Sequence, residues 1–299
     1  MSTKTIAVVA TGDMGHAVGQ ALIEHGHRVV TCLAGRSEHS RNLAARAGIE
    51  DLASLERVAS EADIFLSILP PAAATRLAAE MAAAMQAEGR APVYVDCNAI
   101  APETAAEVGR IVEVAGGLFI DAGIIGLAPG KATPRFYVSG TDTTAMEALD
   151  GCGFKVIPVP GGGCQGSAIK MCYAALTKGT WTLHTAILLA AHQMGVMDPL
   201  MEEYAHSQSG DLSRMEARVP FIPADSGRWI GEMEEIAKSF KDAGVPDGFY
   251  QGAAAVFRIL ARTPFAQETR EDMDRSRTLA DAIPVYAAHL DAGEIDSDV

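Results

Sequence analysis

Over residues 4–160, short apolar runs rich in β-branched residues alternate with Ala-rich stretches of helical character. The pattern predicts strands at Thr5–Val9, Arg28–Cys32, Ile64–Leu69, Val93–Asp96, Leu118–Ala122, Arg135–Val138 and Lys155–Pro158. Helices are predicted between them, for example over Gly15–His25 and Ala73–Gln86. Strand, helix, strand at this spacing builds a mostly parallel sheet with right-handed crossovers. After Pro160 the pattern changes. The cluster Gly161-Gly162-Gly163 opens a helix from about Gly166 to about Met194, apolar nearly all round and therefore expected to be buried on most sides. Further helices follow, with breaks expected at Asp198-Pro199, Val219-Pro220, Gly244-Val245-Pro246 and Thr263-Pro264. No strand signal returns. The acidic stretch Asp291–Val299 reads as a frayed end.

Composition narrows the class. A chain of 299 residues, 48% hydrophobic and 21% charged, has the makings of two packed domains rather than a disordered segment. A formal net charge of −14 with no basic run argues against a nucleic-acid partner. Met1-Ser2-Thr3-Lys4 leads straight into a strand, too short for a signal peptide, so a cytoplasmic location is expected. The apolar stretch Trp181–Ala191 is interrupted by His184 and falls short of the roughly 20 residues a membrane span needs. Five cysteines without a CxxC pair predict reduced thiols, with neither disulfides nor a metal site.

The first strand runs into Ala10-Thr11-Gly12-Asp13-Met14-Gly15 and then a helix. A tight turn at a helix N-terminus presents backbone N–H groups to a diphosphate, and glycines let the backbone approach it. Ala10 stands where the first glycine of a dinucleotide fingerprint is usual, and an ordinary strand-turn-helix without a ligand is the plainer alternative. The context of the first strand and the following second strand favours dinucleotide binding, with Gly12, Asp13, Met14 and Gly15 as contacts. The expected fold is therefore α/β: an N-terminal Rossmann domain with a doubly wound, mostly parallel sheet (1–160), then an all-α C-terminal domain (161–299) joined by the long helix. The end of the second strand decides which dinucleotide. An NAD site places Asp or Glu there for the ribose hydroxyls. This chain reads Cys32-Leu33-Ala34-Gly35-Arg36-Ser37, with Arg41 one turn on. Guanidinium and hydroxyl groups suit a 2′-phosphate, so NADP is the expected cofactor, held by Arg36, Ser37 and Arg41. Otherwise Arg36 is a solvated loop residue.

These motifs resemble those of the β-hydroxyacid dehydrogenase family, which contains hydroxyisobutyrate and phosphogluconate dehydrogenases. Met14-Gly15 matches the end of the family's loop, Leu69-Pro70 its Leu-Pro after the fourth strand, and "DCNAIAP" keeps Asp96 and Pro102 of the next motif with Asn98 at its serine position. The resemblance implies that Leu69, Pro70 and Asn98 contact the cofactor. The family's catalytic Gly-x-x-x-Lys reads Gly166-Ser167-Ala168-Ile169-Lys170. A lysine in the apolar first turns of a buried helix has a lowered pKa and suits proton donation to a developing alkoxide, unless it merely extends to solvent at the cleft.

The chain also departs from the family. Ala174, after Tyr173, stands where the family has a substrate-contacting Asn. The family's carboxylate-gripping Ser-Gly-Gly loop is replaced within Asp121-Ala122-Gly123-Ile124-Ile125-Gly126-Leu127, which keeps glycine and loses the hydroxyl. Gly123, Ile125, Gly126, Tyr173, Ala174 and Trp229 are the expected substrate contacts, and Arg228 and Glu232 are further cleft candidates. Trp181 and His184 share a helical face with Lys170 but read as core, and His16 as helix packing. The implied function is NADP(H)-dependent hydride transfer between nicotinamide and a small carbonyl or alcohol, in a homodimer. The apolar "DAGIIGLAP" stretch also resembles imine reductases, although Lys170 departs from their usual Asp or Tyr. A non-catalytic NADP-binding protein is the reading from a different class.

Overall fold

The computed structural model describes residues 3–270 and 272–290; the Asp291–Val299 end lies outside them. In chain order the first part runs β1 (Thr5–Val9), α1 (Asp13–Glu24), β2 (Arg28–Thr31), α2 (Glu38–Ala47), β3 (Glu50–Asp51), α3 (Leu55–Glu61), β4 (Ile64–Ser67), α4 (Ala74–Glu88) and β5 (Val93–Asp96). It continues through α5 (Pro102–Val114), β6 (Phe119–Ile125), β7 (Arg135–Ser139), α6 (Thr144–Glu147) and β8 (Lys155–Pro158). The strands form one sheet in the order β3-β2-β1-β4-β5-β6-β7-β8. All neighbours pair in parallel except β6 and β7. The order 3-2-1-4-5-6 within it is that of a doubly wound dinucleotide fold.

The central strands β1 and β4 read as near-unbroken apolar runs because both faces of the sheet are covered there. Ile6, Val8, Leu66, Val95 and Ile120 pack on one side with Val18 and Leu22 of α1 and Ala44 and Ala47 of α2. Ala7, Val9, Phe65 and Tyr94 pack on the other with Val58 of α3, Leu77 and Met81 of α4 and Val108 and Val112 of α5. The helix α1 packs closely at Gly19: a Cβ there would lie 2.6 Å from the tip of the Ile49 side chain, which would have to shift.

The long helix α7 spans Gln165–Gln193, followed by α8 (Met197–Ser207), α9 (Ser209–Arg218), α10 (Pro223–Asp242), α11 (Gly248–Ala261) and α12 (Leu279–Ala287). Two compact units result, Met1–Tyr173 and Ala174–Val299, and the division falls inside α7 rather than at residue 160. The helical unit is built around aromatic contacts: Trp181 on Trp229 at 5.1 Å between centroids, Trp229 on Phe257 at 5.5 Å and Phe240 on Tyr250 at 4.5 Å. No strand occurs in it among the described residues. The break expected at Asp198-Pro199 falls earlier, at Gly195-Val196, and Pro199 sits inside the first turn of α8, where its missing N–H is no loss. As expected, α7 is buried or half-buried on most sides, apart from one exposed stripe. Tyr173, Leu176 and Leu183, on one face, are 49%, 72% and 44% exposed.

Among the described residues no helix is long and apolar enough to cross a membrane. All five cysteines are free; Cys32, Cys97 and Cys152 are buried, while Cys172 is exposed.

Candidate functional site

The turn after β1 is tight because Gly15 permits it: a Cβ there would lie 2.0 Å from the Ala10 carbonyl oxygen. Gly12, the residue before α1, has open space around it, with nothing within 4 Å of a Cβ. Among the described residues no side chain caps α1, so its first amides are left to solvent or a ligand. Met14 packs against the core beneath, and the Asp13 carboxylate is exposed, 3.9 Å from His39. His16 turns back onto the Gly12 carbonyl, its Nδ1 at 2.8 Å. The shape and the uncapped amides fit a dinucleotide diphosphate.

At the end of β2 the chain turns through Gly35, whose φ is +68°, into α2. Ser37 is the N-cap of α2, accepting from the Ser40 amide at 3.2 Å and donating to the Ser40 hydroxyl at 3.2 Å. The sequence had marked its hydroxyl for the cofactor; here it also satisfies the helix. Arg36 is half-buried and Arg41 exposed beside it, the Arg41 Nε donating to the Arg36 carbonyl at 3.2 Å. Two residues missed by sequence reasoning shape this edge. The Thr11 hydroxyl donates to the Ser40 carbonyl at 2.9 Å, tying the first loop to α2. Asp51 Oδ1 accepts from the Leu33 and Ala53 amides at 3.0 and 2.9 Å, which commits the carboxylate nearest the end of β2 to backbone.

Leu69 and Pro70 are partly and fully exposed at the end of β4, as a surface facing a ligand requires. Asn98 differs from expectation. It is 2% exposed, and its amide is engaged on both sides: Oδ1 accepts from the Leu69 N–H at 2.7 Å, while Nδ2 donates to Ser67 Oγ at 2.9 Å and Asp96 Oδ2 at 2.7 Å. Its geometry is that of a brace that sets the Leu69-Pro70 backbone, not of a direct contact.

Asp96 lies opposite Asp121 in the β5–β6 register, and both are fully buried. Burial pushes the Asp96 carboxyl up to about 7, with the Asp121 charge adding to the effect, so Asp96 keeps a proton for much of the time near neutral pH. Burial also raises Asp121, against the donors gathered on it. Those donors come from the start of α7, Ser167 Oγ at 2.5 Å and the Ser167 N–H at 2.8 Å, and from the end of β7, Ser139 Oγ at 2.9 Å, which itself accepts from the Gly166 N–H at 3.0 Å. A carboxylate at a helix N-terminus satisfies its amides and complements its dipole. Asp121 therefore anchors the helix that carries Lys170, and the sequence had given it no role.

The two glycines complete that junction. A Cβ on Gly123 would lie 2.2 Å from the Gly166 carbonyl oxygen, and one on Gly166 would lie 2.3 Å from the Tyr137 carbonyl oxygen. The helix thus rides directly on β6, and Lys170, half-buried, donates from Nζ to the Ile124 carbonyl at 2.7 Å. Gly-x-x-x-Lys spacing is explained physically: glycine where the backbones touch, lysine one turn further on the same face. Gly123, expected to touch substrate, is filled by this contact instead. Ile125 is half-buried and Gly126 exposed, the latter at a φ of +121° against Pro134. Tyr173 is exposed close by in sequence to Lys170.

In the helical unit Ala174 is 1% and Trp229 3% exposed. Trp229 stacks between Trp181 and Phe257, so its area is spent on packing rather than on a cleft. Glu232 forms a buried ion pair with Lys178, whose Nζ lies 5.7 Å from the Trp229 ring centroid. The sequence offered Glu232 but not its partner. His184 is buried with Nδ1 unbonded, and burial lowers its pKa, as for a neutral core histidine.

Comparison with known proteins agrees with this architecture. Residues 5–152 match the NAD binding domain of 6-phosphogluconate dehydrogenase, and residues 191–260 match a domain of unknown function, DUF1932. The chain is 29% identical over 175 residues to the mitochondrial 3-hydroxyisobutyrate dehydrogenase of Drosophila melanogaster, an alignment covering 56% of this chain and only 52% of that enzyme. Among solved structures, 3-hydroxyisobutyrate dehydrogenase of Mycobacterium tuberculosis with L-serine superimposes with a TM-score of 0.67 at 20% identity, covering 93% of this chain and 99% of that one. An imine reductase variant from Myxococcus stipitatus in complex with NAD+ superimposes with a TM-score of 0.52 at 15% identity, covering 90% and 97%. Residues 5–152 thus form an NAD binding domain of the 6-phosphogluconate dehydrogenase type, and the chain as a whole is similar to β-hydroxyacid dehydrogenases in sheet order and in its Gly166-to-Lys170 junction.

Proposed function

We propose that this protein is an NADP(H)-dependent reductase, or the reverse alcohol dehydrogenase, acting on a small carbonyl compound. The observation that carries the reading is the junction of β6 and α7, where Asp121, Gly123 and Gly166 fix the backbone around Lys170. When bound, the nicotinamide supplies and accepts the hydride. The protein's own part is binding and proton handling. Gly12–Gly15 receive the diphosphate, and Asn98 holds the Leu69-Pro70 backbone against the cofactor's far half. Lys170 gives its Nζ proton to the substrate oxygen as negative charge develops there, and takes it back in the reverse direction. The main-chain oxygen of Ile124 keeps the ammonium oriented. A turnover panel of aldehydes, ketones, keto acids and cyclic imines with NADPH tests the reading; saturable NADPH binding without turnover on any of them would point to a non-catalytic role.

The preference for NADP rests on Arg36, Arg41 and the N-terminus of α2, while Asp51, the carboxylate beside the end of β2, accepts from the Leu33 and Ala53 amides. Arg36→Ala is expected to weaken NADPH binding by about 1.5–3 kcal/mol and to leave NADH nearly unchanged. Equal affinities of the unaltered protein for the two nucleotides, by fluorescence titration, would contradict the preference.

A second reading, imine reduction, is favoured by one feature: the start of the β6–β7 connection, Gly126-Leu127-Ala128-Pro129, is apolar where a carboxylate-gripping loop would need hydroxyls, with Leu127 55% exposed. Cyclic imines turned over faster than ketones would decide for it.

A homodimer is part of the proposal. The exposed face of α7 carrying Leu176 and Leu183 is apolar surface that a second copy would cover. Light scattering at micromolar concentration is expected to give twice the chain mass, and Leu176→Glu with Leu183→Glu is expected to halve it. A monomer before substitution would rule this out. A cytoplasmic location is in keeping with the free cysteines.

A further inference from the structure

The helical unit holds a cavity of about 380 Å³ that the proposed hydride chemistry does not use. Its walls are the end of α9, the turn into α10 and the segment before α12, with Arg218, Arg270 and Arg275 set around Asp225 and the apolar Phe221 and Met273. In a chain of net charge −14, three guanidinium groups converging on one hollow are a local reversal of sign.

Asp225 pairs with only one of the three, Arg270. Its Oδ2 accepts from both Nε and an Nη of Arg270 at 2.9 and 2.7 Å, and its Oδ1 accepts from Arg228 at 2.9 Å. One carboxylate is thus shared by two arginines, neither of them Arg218. The Arg218 guanidinium lies 4.0 Å over the Trp181 ring, and its buried Nε has no hydrogen-bond partner among the described residues. Burial and the nearby Arg270 both act against its charge. An unpartnered buried donor on a cation is costly to a fold, and an anion seated on it removes that cost.

The wall is also braced. Arg275 donates to the Arg270 carbonyl at 2.7 Å, and Arg277, buried, donates to the Pro220 carbonyl at 3.1 Å and stacks 3.6 Å over Phe265. Tyr286 donates to the Val219 carbonyl at 2.9 Å. Loop and turn are therefore held in place before any ligand arrives, the condition under which charge-assisted hydrogen bonds give affinity.

We propose that this pocket binds a small oxyanion, a phosphate or a carboxylate group, with Arg218 and Arg275 as its charged ligands. The site lies wholly within the helical unit and does not depend on the dehydrogenase reading.

The test is calorimetric titration of the full chain with inorganic phosphate and, separately, with malonate, each against potassium chloride at matched ionic strength. Tryptophan emission is followed in parallel, because Arg218 sits on Trp181. Saturable binding beyond the chloride control, with a change in emission, is expected for at least one anion. The stronger of the two identifies the ligand as tetrahedral or planar. Arg275→Gln, at an exposed position, should weaken binding by about tenfold or more while the emission response persists at higher concentration. Arg218→Met should abolish the heat of binding with the helical circular dichroism intact. If Arg218→Met fails to fold, Arg275→Gln decides alone. No saturable binding of either anion, or binding unaltered in the variants that fold, overturns the site.

Discussion

Replacing Gly123 by Ala will slow turnover by about 100-fold or more and lower the melting temperature, while leaving NADPH affinity close to its starting value. The added Cβ would lie 2.2 Å from the Gly166 carbonyl oxygen, 2.9 Å from its carbon and 3.0 Å from Lys170 Cβ. Two of those three atoms are backbone, so no rotamer change relieves the clash. Either the helix lifts from β6 or the strand bends, and Asp121 resists the first by holding the Ser167 amide and hydroxyl. Overpacking of this kind destabilises by about 1–3 kcal/mol. It also displaces Lys170 by an amount comparable to the shift that disrupts a catalytic geometry. Gly12→Ala is the matched control. Its Cβ meets nothing within 4 Å and its φ of −79° suits any residue, so the melt should not move, whereas nucleotide binding should weaken as the backbone loses its open approach. Gly123→Ala with unaltered melt and rate would mean that the close contact is not what positions the lysine.

How much of this was legible in the sequence depended on the range of the interaction. The strands β1, β4 and β5 announce themselves as short apolar runs, because helices on both faces leave little polar side to show. β3 gave no signal: Glu50 and Asp51 are exposed, polar and only two residues long, and they form a strand only because β2 offers an edge. β6 runs on to Ile125, past the expected end at Ala122, since Gly123–Ile125 gain ladder partners in the antiparallel β7. The lysine and its glycine were visible as a local spacing. Their anchor was not, because Asp121 and Ser167 are separated by 46 residues and only the crossing of β6 and α7 brings them together. Asn98 was read as a ligand contact from its place in a motif. The geometry spends its amide on Ser67, Leu69 and Asp96, three partners no spacing rule would link. Trp229 was placed in a cleft for similar reasons, and its aromatic neighbours on α7 and α11 take it into the packing instead.

Lys170→Met carries the largest expected effect on chemistry. Methionine fills nearly the same volume and has no charge to desolvate, so the helix and its junction with β6 should persist. The hydrogen bond to the Ile124 carbonyl is lost, which costs about 1 kcal/mol in stability. The nucleotide is held by the Gly12–Gly15 turn and by Arg36, so its affinity should hardly change. What disappears is the proton at Nζ, and removal of a positioned general acid slows a reaction by about 100- to 10,000-fold. Because that proton matters only as the substrate oxygen gathers charge, the loss belongs in kcat, with KM nearly constant. Lys170→Arg separates proton transfer from mere charge. It keeps a cation near the same carbonyl, but its pKa is too high for efficient donation, so it should recover the small loss in stability, with binding again unchanged, without restoring rate. A lysine with only a structural role would give the opposite pair of results, a lower melt and an intact rate.

The most direct measurement is single-turnover oxidation of NADPH by stopped flow, with the best carbonyl substrate from the panel, comparing the unaltered protein with Lys170→Met at saturating nucleotide. The account predicts a first turnover slowed by at least about 100-fold, with nucleotide affinity and melting temperature nearly unchanged. NADPH oxidised by Lys170→Met at the unaltered rate would contradict it.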